Sequence, residues 1–544
     1  MSAICDIDSP FESLIHTNAV PSDTDCDRIR ALLHRAQKQV EDLVQKIEET
    51  RLQLDDLTRE RDNANQYIDA HLALISPTRR LPQDIIRAIF IACMPTTRNA
   101  VISPEDPPLL LCQICSAWRQ LALSTPQLWA SLHIVVPSTP KNHRLTQTVA
   151  SWLSRSGILP LSISLVISTS YSMFGATDID QDLAKLLSLL AGMANRWQRV
   201  RMTPPAFGSF LPLAHLSAAD FPLLKSISVG ASLFGSDLSA EPSPWQSLPF
   251  LTAPNLRSVS ISSGYDFGNL RVPWTQLSHL SISGTPYMWP RPFNIHDAVT
   301  ILQQCAELWT CEFHLAETSD PSLPLTPVSL PHLWHLDLVD DMGDLEADRL
   351  FRNFTLPNLC SLKYSVPRQW FHTPRYMFLS TIERLSLDVA GLESAHLIKG
   401  LHLLPLLTDL ELVREPTLAP APESAIGLPD PDFLTHLIPD STPQLCPNLR
   451  RLHLSNFRAL TDETLLAFIR ARTESDSHPH AQGRLERVVV RLAREKTFDV
   501  AAALHEVVAN GLQLVLEYSS PLMFSEYSPW ENAEEEEPDA LLMQ

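Results

Sequence analysis

At 544 residues the chain exceeds what one compact core usually supports, so it must divide into modules or run as an elongated array. A formal net charge of −20 argues against a general nucleic-acid binder, which needs a basic face to displace counterions from phosphate, and against an acidic membrane surface as partner. The start, MSAICDIDSPFES, lacks the features of a signal peptide, no stretch approaches the roughly 20 apolar residues that span a bilayer, and nine scattered cysteines suit a reducing compartment, so the expectation is an intracellular protein, cytoplasmic or nuclear.

In chain order, residues 1–26 carry no apolar period and are expected to be disordered. From Ile29 apolar or small residues fall at Leu33, Ala36, Val40, Leu43 and Ile47, then past Thr50 to Leu54 and Leu57, alternating steps of four and three. That is a heptad seam, flanked by Glu41, Lys46, Glu48, Arg51 and Asp55, and it predicts a coiled-coil-like helix over 27–75. The same pattern serves self-association through residues 29–57 or packing back on the protein's own body. Ser76-Pro77 ends the helical pattern, because proline removes a donor and turns the preceding residue away from helical angles.

Two short helices follow. Pro82 at a first turn leads Ile85, Ile86, Ile89 and Phe90, and a second helix carries Leu111, Cys115, Trp118 and Leu121. The order from RRLP through IF to CSAWRQLALSTPQLW, over residues 76–131, resembles the F-box of the fungal F-box group, which tends to carry a short coiled-coil helix just upstream. The resemblance implies that Leu81, Pro82, Ile85, Ile86, Ile89, Phe90, Cys115 and Trp118 form an apolar face gripped by a Skp-type adaptor protein, itself joined to a cullin scaffold. The same residues also suit the core of a small helical unit. In an interface, Phe90 and Trp118 are the bulky anchors.

Beyond PLSISLVI, which alternates like a strand, a unit recurs with apolar residues at positions one, four and six, often after proline-asparagine or proline and one other residue. The clearest copies are led by Leu256, Leu333, Leu359 and Leu449; weaker ones start at Trp197, Leu224, Leu277, Leu308, Ile382, Leu407 and Leu485. One short strand leaves its apolar face open, whereas parallel stacking of successive strands builds a continuous core. The expected fold is therefore α/β: an irregular leucine-rich-repeat solenoid over 132–520, preceded by the small helical F-box and the N-terminal coiled-coil-like helix. After the strand led by Leu449, FRALTDETLLAFIR resembles the cysteine-containing type of leucine-rich repeat, with Phe457 where that type has cysteine. The asparagine or cysteine that usually follows each strand is missing from most copies, so an evenly curved horseshoe is not expected. The proline-rich 415–432 reads as an exposed excursion, and the acidic 521–544 as a disordered tail.

The residues between the leucines point outward and would read a protein target: Arg257, Ser260, His279, Ser281, His335, Asp337, Lys363, Arg384, Glu411, Arg451 and His453. Their mixed signs name no ligand class. Cys112-Gln113-Ile114-Cys115 has no second pair to complete four metal ligands and is read as buried thiols, and His478-Pro479-His480 sits in a polar stretch and is read as a solvated loop. No phosphate loop, nucleophile elbow or HExxH occurs, so neither catalytic residues nor cofactors nor a metal are expected. The resemblance implies a substrate-recognition subunit of a ubiquitin ligase, with a non-catalytic scaffold outside any ligase as the alternative.

Overall fold

A computed structural model describes residues 10, 11, 13–15, 17–136, 143–167, 177–203, 213–230, 248–262, 270–283, 293–316, 324–342, 344–366, 381–389, 394–413, 431–438, 445–457, 460–473, 484–492 and 494–518. Residues 415–430 of the excursion, the acidic tail and His478-Pro479-His480 lie outside them. The chain divides into two units, Met1–Ile86 and Arg87–Gln544.

The first unit is dominated by α1 (Asp23–Ile75), which begins ahead of the expected residue 27. Ser22 caps it, its Oγ accepting the Asp25 N–H at 3.3 Å, and Asp23 and Asp25 place negative charge on the first-turn N–H groups. The helix stops one residue before Ser76-Pro77, as the proline requires. At 53 residues it is about 80 Å long. Its seam residues Leu33, Val40, Leu43, Ile47, Leu54 and Leu57 are all exposed. A short turn at Pro77–Arg80 leads to α2 (Gln83–Ala92), opened by hydrogen bonds from the Ile85 and Ile86 N–H groups to the Pro82 carbonyl. The division between the units falls within α2.

The second unit starts with helices and continues as a sheet. The second predicted helix is in fact two, α3 (Leu111–Ile114) and α4 (Ser116–Leu123), broken at Cys115, whose extended backbone lets its Sγ cap α4 by accepting the Trp118 N–H at 3.4 Å. Sixteen strands follow among the described residues: β1 (Ser131–Val136), β2 (Leu161–Ile167), β3 (Trp197–Thr203), β4 (Ser226–Gly230), β5 (Ser258–Ser262), β6 (His279–Ile282), β7 (Thr310–Ala316), β8 (Val328–Ser329), β9 (His335–Asp341), β10 (Phe354–Thr355), β11 (Ser361–Ser365), β12 (Arg384–Asp388), β13 (Asp409–Val413), β14 (Arg451–Phe457), β15 (Arg487–Leu492) and β16 (Gln513–Tyr518). Apart from the small parallel pair β8 and β10, they form one parallel sheet of 14 strands whose spatial order is the chain order. An α/β repeat array is thus the observed architecture.

Between strands run α5 (His143–Arg155), α6 (Thr177–Ala191), α7 (Ile295–Leu302), α8 (Asp344–Asn353), α9 (Ser394–His402), α10 (Asp462–Thr473), α11 (Val500–Ala503) and α12 (His505–Ala509). Several bury one apolar face, such as Leu183, Leu186, Leu187 and Leu190 of α6. Where no helix intervenes, short turns and irregular segments make the return.

The recurring Pro-x-Leu step has a local explanation. Residue one of each clear repeat donates its N–H to the carbonyl three residues back, as in Leu256 to Ala253, Leu333 to Leu330, Leu359 to Leu356 and Leu449 to Cys446. That closes a four-residue turn with proline second, where its fixed φ suits the turn. Asparagine third in the turn reaches the previous repeat: Asn255, Asn358 and Asn448 donate Nδ2–H to the carbonyls of Pro222, Pro331 and Pro405 at 2.7, 2.7 and 3.0 Å. The chain then enters the strand, and the carbonyl at position two accepts two N–H groups from the next repeat. Lys225 accepts from Arg257 and Ser258, Arg257 from Ser278 and His279, Trp309 from Trp334 and His335, and Arg450 from Glu486 and Arg487. Positions one, four and six are buried, as Leu256, Val259 and Ile261 illustrate.

The array is closed at its start by the helical segment. Trp129 is fully buried, its Nε1–H donating to the Ala122 carbonyl at 2.8 Å, and it meets Trp152 of α5 edge-on at 4.8 Å between ring centroids. Val101 bridges to His133, so the free side of β1 carries the strand-like pair Ala100-Val101.

Near its end, Arg472 of α10 is buried and donates to the carbonyls of Leu437, Leu445 and Cys446 at 2.7, 3.0 and 3.0 Å. Cys446, at φ 45°, is held there in a left-handed conformation. Asp462, also buried, accepts from Arg494 at 2.7 Å, the Thr497 hydroxyl at 2.6 Å, the Thr497 and Phe498 N–H groups and the Tyr518 hydroxyl. Burial alone would raise the Asp462 pKa, but these donors outweigh it and hold the carboxyl well below the usual range. Its stabilisation is full above the ordinary aspartate range and is lost as pH falls through and below it. Asp462→Ala is expected to cost about 3–5 kcal/mol at pH 7, by urea unfolding followed in the last repeats, with the difference from wild type shrinking in acid.

Candidate functional site

Two surfaces bear on function. The first comprises the residues of the helical motif. In the first unit Leu81, Pro82 and Ile85 are exposed and Ile86 is buried. In the second unit Ile89 is exposed, 41% open to solvent, while Phe90 is fully buried and meets the half-buried Trp118 edge-on at 4.9 Å. Each unit therefore holds one buried and one exposed motif residue of α2: Ile86 and Ile85 in the first, Phe90 and Ile89 in the second. The eight predicted residues thus split between packing and surface, and Phe90 is a core group, not an accessible anchor. Leu110 and Ile114, which the motif reading passed over, are exposed as well. Their exposure depends on the break at Cys115, which apolar spacing does not signal.

Cys112 is half-buried, and desolvation pushes its thiol up despite Arg155 and Arg119 nearby. That is the reverse of a reactive thiolate. Among the described residues no group of three or more His, Cys, Asp or Glu is placed to hold a metal ion.

The second surface is the open face of the sheet. Strand registers align position three of each repeat in one row, running Ser162, Arg199, Ser226, Ser258, His279, Thr310, His335, Ser361, Arg384, Asp409, Arg451, Arg487. Position five forms a second row: Ser164, Arg201, Ser228, Ser260, Ser281, Glu312, Asp337, Lys363, Ser386, Glu411, His453, Val489. The predicted His279, His335, Asp337, Lys363, Arg384, Arg451 and His453 all lie in these rows, as do Ser260, Ser281 and Glu411. Arg257 does not. It stands at position two, at the exit of the turn, with Nη1 donating to the Gln276 carbonyl at 3.3 Å. Counting outward positions back from four and six gives three and five, so position two belongs to the rim. Arg199, Arg201, Glu312, Asp409 and Arg487 are in the rows but were not picked out, although most of their repeats were recognisable from position one.

From β9 onward the open face is cross-linked between neighbouring strands by ion pairs and a histidine–carboxylate contact. Lys363 Nζ lies 2.8 Å from Asp337, Arg451 3.2 Å from Asp409, and His453 Nδ1 2.7 Å from Glu411. The His453 hydrogen bond holds the Glu411 carboxyl below its usual range, helped by Ser386 and opposed by burial. Burial pulls the Lys363 ammonium down, but Asp337 outweighs it and the net shift is upward. The Arg384 guanidinium lies over the Trp334 ring at 5.1 Å.

The histidines behave differently from the cations. Burial lowers His279, and takes His314 and His335 down to about 4, His335 with help from Lys363. They are neutral at pH 7, and two of them make neutral hydrogen bonds: His335 Nδ1 with Ser361 Oγ at 2.8 Å and His279 Nδ1 with Ser278 Oγ at 2.7 Å.

No protein-family profile matches the chain, and no curated protein matches it significantly. Among solved structures, the complex of Rad7 and Elc1 in yeast includes a chain with which this one shares 14% identity, over 62% of this chain and 90% of that one, at a TM-score of 0.30. Among the described residues no helix is long and apolar enough to cross a membrane.

Because the folded-state pKa values of His314 and His335 are depressed, the unfolded chain binds protons more readily through the range below the ordinary histidine value, and stability falls as pH drops from there toward 4. Melting temperatures across that range are expected to decline for wild type and to decline less for His314→Asn combined with His335→Asn.

Proposed function

We propose that the chain is a non-catalytic receptor: its helical motif docks a Skp-type adaptor of a cullin-based ubiquitin ligase, and the open face of its repeat array receives the protein to be modified. The single observation that carries this reading is the state of α2. Ile85 in the first unit and Ile89 in the second are both exposed, each beside a buried motif residue, Ile86 and Phe90 respectively. Exposed isoleucines at motif positions suit capture by an apolar partner, where burial yields about 25 cal/mol per Å² before the costs of association. Chemistry is assigned to the partner enzymes in this reading.

Co-purification of the full chain with the Skp-type adaptor tests this directly. Wild type is expected to retain the adaptor, and Ile89→Asp to lose it by about tenfold or more. Ile89 is exposed, so circular dichroism of the variant should match wild type. Trp118→Ala is a weaker probe because Trp118 also packs on Phe90. Failure of the wild-type chain to retain the adaptor would move the reading to a scaffold outside any ligase.

A second reading, self-association, is favoured by the exposed seam of α1. Apolar residues repeating by sevens on an uncovered helix gain from a copy of the same helix, and Thr50 within the seam restricts the registers available. Sedimentation of the full chain should give a species heavier than the monomer, and Leu43→Asp with Leu57→Asp should return it to monomer mass. A wild-type chain that sediments as monomer at micromolar concentration excludes the pairing.

A further inference from the structure

The open face is electrically divided. Carboxylates enter its rows only from β7, where Glu312 is followed by Asp337, Asp409 and Glu411. The four repeats 197–203, 224–230, 256–262 and 277–283 contain no Asp or Glu, yet the first three carry Arg199, Arg201, Lys225 and Arg257. In a chain of net charge −20, the charged groups of these repeat segments are all positive. Arg199 is exposed and has no ion pair or side-chain hydrogen bond among the described residues, unlike Lys363, Arg451 and Arg494. Lys225 and Arg257 are exposed on the rim beside it.

Beside the arginines the register sets hydroxyls. Ser226 and Ser258 continue the row of Arg199, and Ser228 and Ser260 that of Arg201. Position seven of the β4 repeat is the buried Gly230, where a Cβ would come within 2.5 Å of Ser262 Oγ, so no side chain rises between the strands there. A flat strip of short donors around a guanidinium suits an extended backbone whose side chains are acidic. Carboxylates spaced about 7 Å apart on one side of an extended peptide meet cations on strands about 4.8 Å apart without a deep pocket.

We propose that this amino-terminal half of the open face, centred on Arg199, binds an extended acidic peptide segment of the target protein. The proposal rests on reading the open face as the target surface. A polypeptide is favoured over nucleic acid because the carboxylates from β7 onward repel a long polyphosphate, whereas a short acidic segment ends before reaching them.

The test uses the full-length chain and fluorescence anisotropy with a labelled peptide of alternating glutamate and serine, its glutamine-for-glutamate counterpart, and a single-stranded oligonucleotide. The acidic peptide should bind, more weakly as salt rises, and the glutamine counterpart should not. Arg199→Ser with Lys225→Ser and Arg257→Ser should weaken binding by about tenfold or more, while Arg199→Lys alone keeps most of it. Because Arg199 is exposed, an unchanged circular dichroism spectrum should accompany the loss. The proposal is overturned if wild type does not bind the acidic peptide, if the glutamine counterpart binds equally, if the triple variant is unaffected, or if the oligonucleotide binds more tightly. Adaptor co-purification of the triple variant, expected to equal wild type, separates failure here from failure of the receptor reading.

Discussion

A five-residue parallel strand can neither satisfy its own backbone nor bury its own apolar side, and every feature of the array follows from that deficit. Each repeat answers it by leaning on the one before. The position-two carbonyl takes two N–H groups from its successor, the turn asparagine reaches back to a proline carbonyl, and positions one, four and six stack into shared layers. The register is consequently one-to-one along nearly the whole sheet, shifting only near Leu161 and between Ser455 and Phe457, where Asn456 at φ 65° forms the irregularity. Stability in such an array is a sum of neighbour terms, so its ends need covering. Ala100-Val101 and the Trp129–Trp152 pair serve at the start, and the Asp462–Arg494–Tyr518 cluster ties the last strand inward.

Much of this was legible in the amino-acid order. The one-four-six spacing located β3 to β7, β9 and β11 to β15, because buried layers demand the same residue types in every repeat. Position-specific outward residues followed from the same count, except that Arg257 stands at the turn exit, just ahead of its strand, and not in a row. Cross-strand pairing was not legible: that Lys363 meets Asp337 depends on which repeats are neighbours in register, a property of two segments and not of one. The Cys115 break was invisible for a related reason, since apolar periodicity runs through it unchanged and only backbone geometry reveals the cap. The Asp462 cluster gathers residues from three segments whose separate sequences give no sign of it.

The two halves of the open face show how one scaffold holds different electrostatic characters. From β9 to β14 several charged groups are paired across strands, which favours a fixed surface and lowers the net field. In β3 to β6 the strands carry hydroxyls and cations and no carboxylate of their own, and exposed Arg199 is available to something outside the chain. Neutral His279 and His335 lie at and beyond the border between the two and add no charge to either.

The proline-led turn has an evolutionary consequence. Because four residues fix the entry to each strand, the segment upstream of a turn can lengthen without shifting the register, and loop-closure entropy rises by only about 0.6 kcal/mol per doubling of length. Repeat leaders spaced from 21 residues, as between Leu256 and Leu277, to 42, as between Leu407 and Leu449, occupy adjacent places in one sheet under this rule. Arg472 joins the Leu437 and Leu445 carbonyls, eight residues apart in the chain. Inserted sequence can therefore diversify on an invariant frame, and innovation in this lineage should accumulate between strands, where a new excursion costs the core nothing.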